Sequence, residues 1–99
     1  MSAEYYTVYV HIVPNGKVYV GQTAKVCLLD RWGFNGEGYK NNKPFYDDIQ
    51  FYGWDNIAHV VICDMLTSEQ ADYLERYLIK RYKATWRDCG YNRHPGGKF

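Results

Sequence analysis

One carboxylate lies inside the apolar stripe of the last predicted helix. Glu75 comes four residues after Ala71 and three before Leu78, so at about 100° per residue it falls on the face these residues define. Burying a carboxylate there is costly unless it is paired, hydrogen-bonded or bound to a metal. Two interpretations stay open. One is a rim position or a salt bridge to Arg31 or Arg76. The other is a metal ligand or acid/base group in a cleft beside the sheet.

Two tyrosines and a histidine are brought to one face by a predicted β-hairpin. Residues 5–13 and 17–21 read as strands, and the Pro-Asn-Gly sequence between them suits a three-residue hairpin loop. That loop length pairs His11 with Tyr19 and Tyr9 with Gly21. The hydroxyl-bearing rings then share one face and the valines share the other. A two-residue loop would shift the register by one residue and scatter the tyrosines.

The rest of the chain reads as a short helix, a glycine-rich loop, a helix, a strand, a helix and an irregular tail. The expected bounds are 26–32, 33–38, 43–52, 57–65, 68–82 and 84–99. Pro44 suits a first helical turn, Thr67 with Gln70 forms a capping-box pattern, and Tyr82 is expected on the buried side of the last helix. The order ββααβα predicts one α+β domain over residues 1–99, a small three-stranded antiparallel sheet flanked by helices.

Length and composition exclude several classes of protein. Ninety-nine residues with 46% hydrophobic and 23% charged side chains describe one small globular domain and argue against disorder. No apolar run approaches the roughly 20 residues of a membrane span, and the first residues lack the features of a signal peptide. Three widely spaced cysteines indicate a reducing compartment, so we expect a cytoplasmic protein.

Positive charge is concentrated at the end of the chain. From Leu66 onward, seven Lys and Arg residues stand against four Asp and Glu residues, although the whole chain carries only +1. This asymmetry is compatible with phosphate binding, and equally with a solvated helix face. The histidines and cysteines lack zinc spacing, and no glycine-rich nucleotide-binding fingerprint is present.

A series of short motifs, taken in chain order, resembles the GIY-YIG endonuclease family over nearly the whole chain. The two tyrosine motifs of that family are similar to Thr7-Val8-Tyr9 and Tyr19-Val20-Gly21, although Thr and Val replace the first Gly and Ile. Further matches follow in order: Asn15-Gly16-Lys17, Arg31-Trp32, Gly38-Tyr39-Lys40, Tyr52-Gly53-Trp54, Leu74-Glu75-Arg76-Tyr77 and Gly90-Tyr91-Asn92.

The resemblance implies a metal-dependent DNA endonuclease that hydrolyses phosphodiester bonds. Glu75 would hold one Mg²⁺ or Mn²⁺, and no small-molecule cofactor is expected. Arg31 would clamp the scissile phosphate, and Tyr9 would orient the attacking water and act as its general base. Tyr19 would position Tyr9 or the phosphate, and Asn92 would tie the tail to the site.

DNA is the expected partner. Many relatives carry a histidine that is missing here, and His11, Lys40 and Lys43 are its possible substitutes. Lys80, Arg87 and Arg93 could contact the flanking DNA backbone without reading sequence. One site nicks one strand at a time, so a double-strand break would need a transient dimer on DNA or successive visits. The protein would then be nucleoid-associated when it acts.

Two other functions compete with the nuclease. One is a nucleic-acid-binding module of the same fold with little catalysis, which the altered first motif and the missing histidine favour. The other is a tyrosine-rich protein-interaction domain. Dependence of cleavage on both metal and Glu75 separates the nuclease from the binding module.

Overall fold

The opening hairpin has the register that its loop length predicts. In the computed structural model, which describes residues 4–24 and 26–95, β1 (Tyr6–Ile12) pairs antiparallel with β2 (Val18–Thr23). His11 lies opposite Tyr19 and Tyr9 opposite Gly21. The Val13 N–H donates to the Lys17 carbonyl at 2.9 Å and closes the loop. The prediction that the three rings share one face is therefore confirmed.

The remaining elements complete the predicted order. They are α1 (Leu28–Trp32), α2 (Lys43–Tyr52), β3 (Ala58–Leu66) and α3 (Ser68–Tyr82). β3 pairs antiparallel with β1, which gives one sheet in the order β2-β1-β3. The α+β class and the three-stranded antiparallel sheet are confirmed. No helix within 4–24 and 26–95 combines the length and apolar character that a bilayer crossing requires.

Each face of the sheet carries its own core. On one face, α3 packs against the alternating valines of β1 and β2, among them Val8, Val10 and Val20. On the other face lies an aromatic cluster formed by α2 and the loops, with Phe45 and Ile49 at its centre. Period-two alternation on the strands produces this division, because successive side chains point to opposite faces.

Both longer helices begin with a side-chain cap. The Thr67 hydroxyl accepts from the Gln70 N–H at 3.2 Å, and the Gln70 side chain accepts from the Thr67 N–H at 2.9 Å, so the predicted capping box is confirmed. Asn42 caps α2, with Pro44 in the first turn. Tyr82, predicted on the buried side of α3, is instead 45% exposed, because the helix ends there and Ala84 closes the core.

Two regions differ from the sequence prediction. The segment expected to be a loop contains a 3₁₀ helix at Phe34–Tyr39, interrupted by Asn35 and Gly36 at φ 55° and 79°. A Cβ on Gly36 would lie 2.7 Å from the Trp54 ring, so this backbone approaches the ring closely. A second 3₁₀ turn, Trp54–Asn56, precedes β3. Tertiary packing of Trp54 rather than local propensity therefore shapes the first segment.

The tail is anchored beside β2 rather than wholly irregular. Val18 and Gly90 form a parallel bridge, and the Tyr91 N–H donates to the Val18 carbonyl at 2.9 Å. This contact carries Asn92 to the edge of β2. The rest of the predicted tail, 96–99, lies outside the described residues, as does the segment 1–3 at the start of the chain.

Candidate active site

Four of the five residues to which the resemblance assigns a catalytic role line one open cleft. The cleft encloses about 510 Å³, and Tyr19, Arg31, Glu75 and Asn92 form part of its wall. They come from β2, α1, α3 and the tail, which are distant in sequence. Tyr39, at the end of the first 3₁₀ helix, also lines the cleft. Tyr9 does not lie on this wall.

Arg31 is held by a tyrosine hydroxyl, a backbone carbonyl and an aromatic ring. Its Nη2 donates to Tyr19 Oη at 3.4 Å, and its Nη1 donates to the Gly38 carbonyl at 3.3 Å. The guanidinium carbon lies 4.7 Å from the centre of the Tyr39 ring. No salt bridge to Arg31 forms among the described residues. The ion pair considered for it is thus not made, and its charge can face an anion in the cleft.

Glu75 belongs to a small group of oxygen donors. Gln22 Nε2 donates to Glu75 Oε1 at 3.0 Å and to Asp72 Oδ1 at 2.6 Å. The other amide atom, Gln22 Oε1, is buried and has no hydrogen-bond partner among residues 4–24 and 26–95. Rotating the amide would turn this oxygen toward the two carboxylates, an arrangement that a cation would stabilise.

This donor set fits a hard divalent cation. Magnesium is usually held by one or two carboxylates with waters completing the octahedron. Glu75 and Asp72 supply two carboxylates, and Gln22 would supply a neutral oxygen once its amide is rotated. No cluster of three or more His, Cys, Asp or Glu suited to a metal occurs in the described part of the chain. Waters would therefore fill most positions.

Tyr9 is completely buried behind the cleft. Its side chain has no exposed surface, and its Oη lies 3.3 Å from Tyr39 Oη. Burial raises the pKa of Tyr9, although Arg31 nearby acts in the opposite sense. Burial likewise raises the pKa of Tyr19 to about 12. Both phenols are therefore protonated at neutral pH, and Tyr9 does not reach the cleft surface where an attacking water would lie.

His11 is part of the interior, which is at odds with the DNA contact predicted for it. Its side chain is fully buried, with Nε2 at 2.7 Å from Tyr39 Oη and Nδ1 at 2.9 Å from His59 Nδ1. Burial lowers the pKa of His11 to about 2. The hairpin register places it on the tyrosine face, as predicted, but that face is covered by aromatic rings and not by solvent.

Asn92 ties the tail to β2, as the resemblance implied. Its Oδ1 accepts from the Val20 N–H at 2.9 Å, and its Nδ2 donates to the Val20 carbonyl at 2.8 Å. This paired contact fixes the tail one residue from Tyr19. The role of Asn92 is therefore structural support for the cleft wall.

The predicted DNA-contacting cations lie at different distances from the cleft. Arg93 is on its wall, and Arg87 lies in a neighbouring groove. Lys40 is exposed, and Lys43 forms a surface ion pair with Asp47 at 3.0 Å. Lys80 lines a separate groove on α3. Only Arg93 joins the candidate site directly.

Three residues of the site were not assigned a role from the sequence. Gln22 bridges two carboxylates, Tyr39 links Tyr9 to His11, and His59 lies opposite His11 on β3. Gln22 directly follows the second tyrosine motif, and Tyr39 lies in a stretch that resembles the family. His59 had no such signal, because strand pairing between β1 and β3 is not encoded locally.

The fold and the cleft define an α+β domain in which a guanidinium, two carboxylates and buried phenols converge. Comparison of the chain with known protein families, with curated proteins and with solved structures finds no match. The function is therefore argued from the site itself.

Gly21 is where a single methyl group is expected to disrupt this arrangement. A Cβ there would lie 2.6 Å from both Cζ and Oη of Tyr9. Because Tyr9 is fully buried, Gly21→Ala should lower the free energy of unfolding by about 2–3 kcal/mol in urea titrations. In a Tyr9→Leu background, Gly21→Ala should lower the free energy of unfolding by clearly less. Equal losses of unfolding free energy in both backgrounds would show that the Tyr9 side chain is not what a Gly21 methyl group meets.

The buried histidine predicts that stability falls in acid. The unfolded chain protonates His11 below its ordinary pKa of about 6.5, whereas the folded chain keeps it neutral. The free energy of unfolding should therefore decrease as the pH falls from about 6.5, by about 2–3 kcal/mol at pH 4.5. Burial also lowers the pKa of His59, which adds a loss of the same sign.

Urea titrations at pH 7.5 and 4.5 measure this loss. His11→Gln should be less stable at neutral pH but should lose less on acidification than the parent. The exposed residue His94 provides the control, and His94→Gln should keep the full loss. An undiminished loss in His11→Gln would show that the acid sensitivity has another origin.

Proposed function

We propose that this domain is a metal-dependent DNA endonuclease of the GIY-YIG type, which hydrolyses phosphodiester bonds and nicks one strand at a time. The observation that carries this proposal is the convergence of Tyr19, Arg31 and Glu75 on one cleft. Their spacing along the chain spans most of its length, so local sequence does not account for the convergence. The motif resemblance supports the same reading.

Arg31 is suited to hold the scissile phosphate. Its planar fork matches two phosphoryl oxygens, and no carboxylate among the described residues neutralises it. Tyr19 Oη, the Gly38 carbonyl and the Tyr39 ring hold the side chain in place before substrate arrives. Such prior positioning strengthens electrostatic stabilisation of charge that develops on the phosphate.

Glu75, with Asp72 and Gln22 beside it, would hold Mg²⁺ or Mn²⁺. Such a cation, when bound, neutralises charge on the phosphoryl oxygens and on the departing 3′ oxygen. Glu75 and Arg31 line the same cleft, so that it would bind a cation and an anion side by side. Gln22 orients both carboxylates through its amide.

The surroundings of the cleft fit a phosphate backbone more than a small molecule. Arg93 lies on the wall, and Arg87 and Lys17 lie along the adjoining groove. Cations arranged beside an open cleft bind backbone charge without reading bases. We infer weak, salt-sensitive and poorly sequence-specific binding to DNA. A double-strand break would require two protomers or two successive nicks.

The burial of Tyr9 favours a second candidate, a catalytically weak nucleic-acid-binding module. A general base must reach the proton it abstracts, directly or through one intermediary. Tyr9 has no exposed surface, and its hydroxyl lies 3.3 Å from that of Tyr39, which lines the cleft. If that path does not operate, the cleft would bind a phosphate backbone without cleaving it.

Nicking of supercoiled plasmid in Mg²⁺ or Mn²⁺, with a chelator control, tests the proposal. The nuclease should convert supercoiled to open-circular DNA only when metal is present. Fluorescence anisotropy with labelled duplex, run at low and high salt in parallel, reports binding separately. Salt-sensitive binding without nicking in either metal would support the binding module and overturn the nuclease.

A further inference from the structure

A continuous line of hydrogen-bonding side chains runs from the cleft to the far edge of the sheet. Tyr39 Oη lies 2.7 Å from His11 Nε2, and His11 Nδ1 lies 2.9 Å from His59 Nδ1. His59 Nε2 lies 2.9 Å from the Trp54 carbonyl. Tyr9 joins the line at Tyr39, 3.3 Å away. Four side chains are thus linked through interior that is otherwise aromatic.

The carbonyl at one end fixes the direction of every hydrogen bond when both histidines are neutral. The Trp54 oxygen can only accept, so the proton of His59 is on Nε2 and its Nδ1 accepts. His11 therefore donates from Nδ1 and accepts at Nε2. Tyr39 must then donate to His11, and its Oη lies 3.3 Å from Tyr9 Oη.

We propose that Tyr39, His11 and His59 form a proton relay that carries the proton of the attacking water out of the cleft to His59. This inference rests on the proposed nuclease function and deepens it. Tyr39 is 2% exposed and lines the cleft, whereas Tyr9 has no exposed surface and does not, so Tyr39 is the cleft-side member. Tyr9 supports Tyr39 through its hydroxyl and is a positioning residue.

The step balances without a further reactant. The water oxygen forms a bond to phosphorus as its proton passes to Tyr39 Oη. The Tyr39 proton passes to His11 Nε2, and the His11 Nδ1 proton passes to His59 Nδ1. The bond from phosphorus to the 3′ oxygen breaks, and the electron pair leaves with that oxygen. His59 ends as an imidazolium whose Nε2–H still donates to Trp54.

The surroundings make His59 the final proton acceptor, whereas His11 passes the proton on without keeping it. His11 is fully buried among Tyr9, Tyr19, Tyr39 and Arg31, so it does not hold a charge. His59 is only half-buried; burial lowers its pKa, while the Trp54 carbonyl and Asp55 act in the opposite sense and favour its charged form. The centres of the His59 and Trp54 rings lie 4.0 Å apart, and this packing keeps His59 aligned with His11.

The decisive experiment compares nicking rates of the full chain and two variants from pH 5 to 9. His59→Gln offers an acceptor to His11 and a donor to Trp54 but cannot take a proton. Tyr39→Phe removes the cleft-side hydroxyl. Each is expected to slow nicking by about 100-fold near pH 7.5. The double variant should be no slower than either single variant, since both interrupt one path.

The pH profile is the readout that a merely structural role would not move. In the parent, the nicking rate should rise with pH and reach a plateau at pH values above the pKa of His59. In His59→Gln this plateau should disappear. Nitrogen-15 NMR should find the proton of His11 on Nδ1 and that of His59 on Nε2. Urea midpoints verify that both variants fold.

The outcomes separate the relay from the nuclease. An active parent together with unchanged rate and profile in His59→Gln would overturn the relay and leave the nuclease intact. Additive losses in the double variant would also overturn it. If the parent does not nick DNA in either metal, the proposed function fails, and the relay fails with it whatever the tautomers are.

Discussion

Glu75→Gln is expected to abolish metal-dependent nicking, with a rate loss of about 1000-fold. Loss of one of two carboxylates at the candidate cation site would forfeit several kcal/mol of transition-state charge stabilisation, and about 4 kcal/mol corresponds to that factor. The amide keeps an oxygen that can accept from Gln22, so the fold should be preserved. Plasmid nicking in Mg²⁺ and in Mn²⁺ measures the loss.

The same substitution should not weaken DNA binding. It removes a negative charge from a cleft that would face phosphates, so affinity should stay equal or increase at low salt. Glu69→Gln is the matched control, because Glu69 is an exposed carboxylate in the first turn of the same helix. Nicking that survives Glu75→Gln would indicate a contaminating nuclease or a wrongly assigned ligand.

Arg31→Lys is expected to lower the nicking rate by about 100-fold despite keeping the charge. An ammonium cannot donate in two directions from one plane, so it cannot bridge Tyr19 Oη and the Gly38 carbonyl while presenting a fork to phosphate. Removing a single donor that is aimed at developing charge costs a comparable factor in other hydrolases. Single-turnover plasmid nicking separates this loss from weaker binding.

Two further variants make this result specific. Arg31→Ala should be slower still, and added guanidinium ion should restore part of its rate if the cleft accepts the missing group. Arg81→Lys changes an exposed arginine near the end of α3 and should nick at the parental rate. A full rate in Arg31→Lys would mean that Arg31 acts only as a diffuse positive charge.

Local pattern accounts for the hairpin and for much of the helical framework. The Pro-Asn-Gly loop specified a register in which His11 faces Tyr19, because side chains alternate and a one-residue shift would exchange the two faces. The capping box of Thr67 and Gln70 likewise marked the start of α3. Both signals act over a few residues, where backbone geometry leaves few alternatives.

The candidate site could be predicted only in part. Glu75 stood out because a carboxylate interrupts an apolar stripe, and motif resemblance added Tyr9, Tyr19 and Arg31. Neither the apolar stripe nor the motifs indicated that Tyr9 would be fully buried, with its hydroxyl against that of Tyr39. Burial of an individual strand residue depends on what covers the sheet. Here the cover is α2 together with the two 3₁₀ turns and their aromatic rings.

The sequence by itself determined the element order, the hairpin register and the face on which the tyrosines and His11 lie. Tertiary structure alone decided that β3 pairs with β1, which sets His59 against His11, and that Gln22 reaches Asp72 and Glu75. The physical reason is the distance along the chain over which each effect acts. Propensity, capping and alternation act between neighbours, whereas a strand order or a shared cleft depends on how whole elements pack.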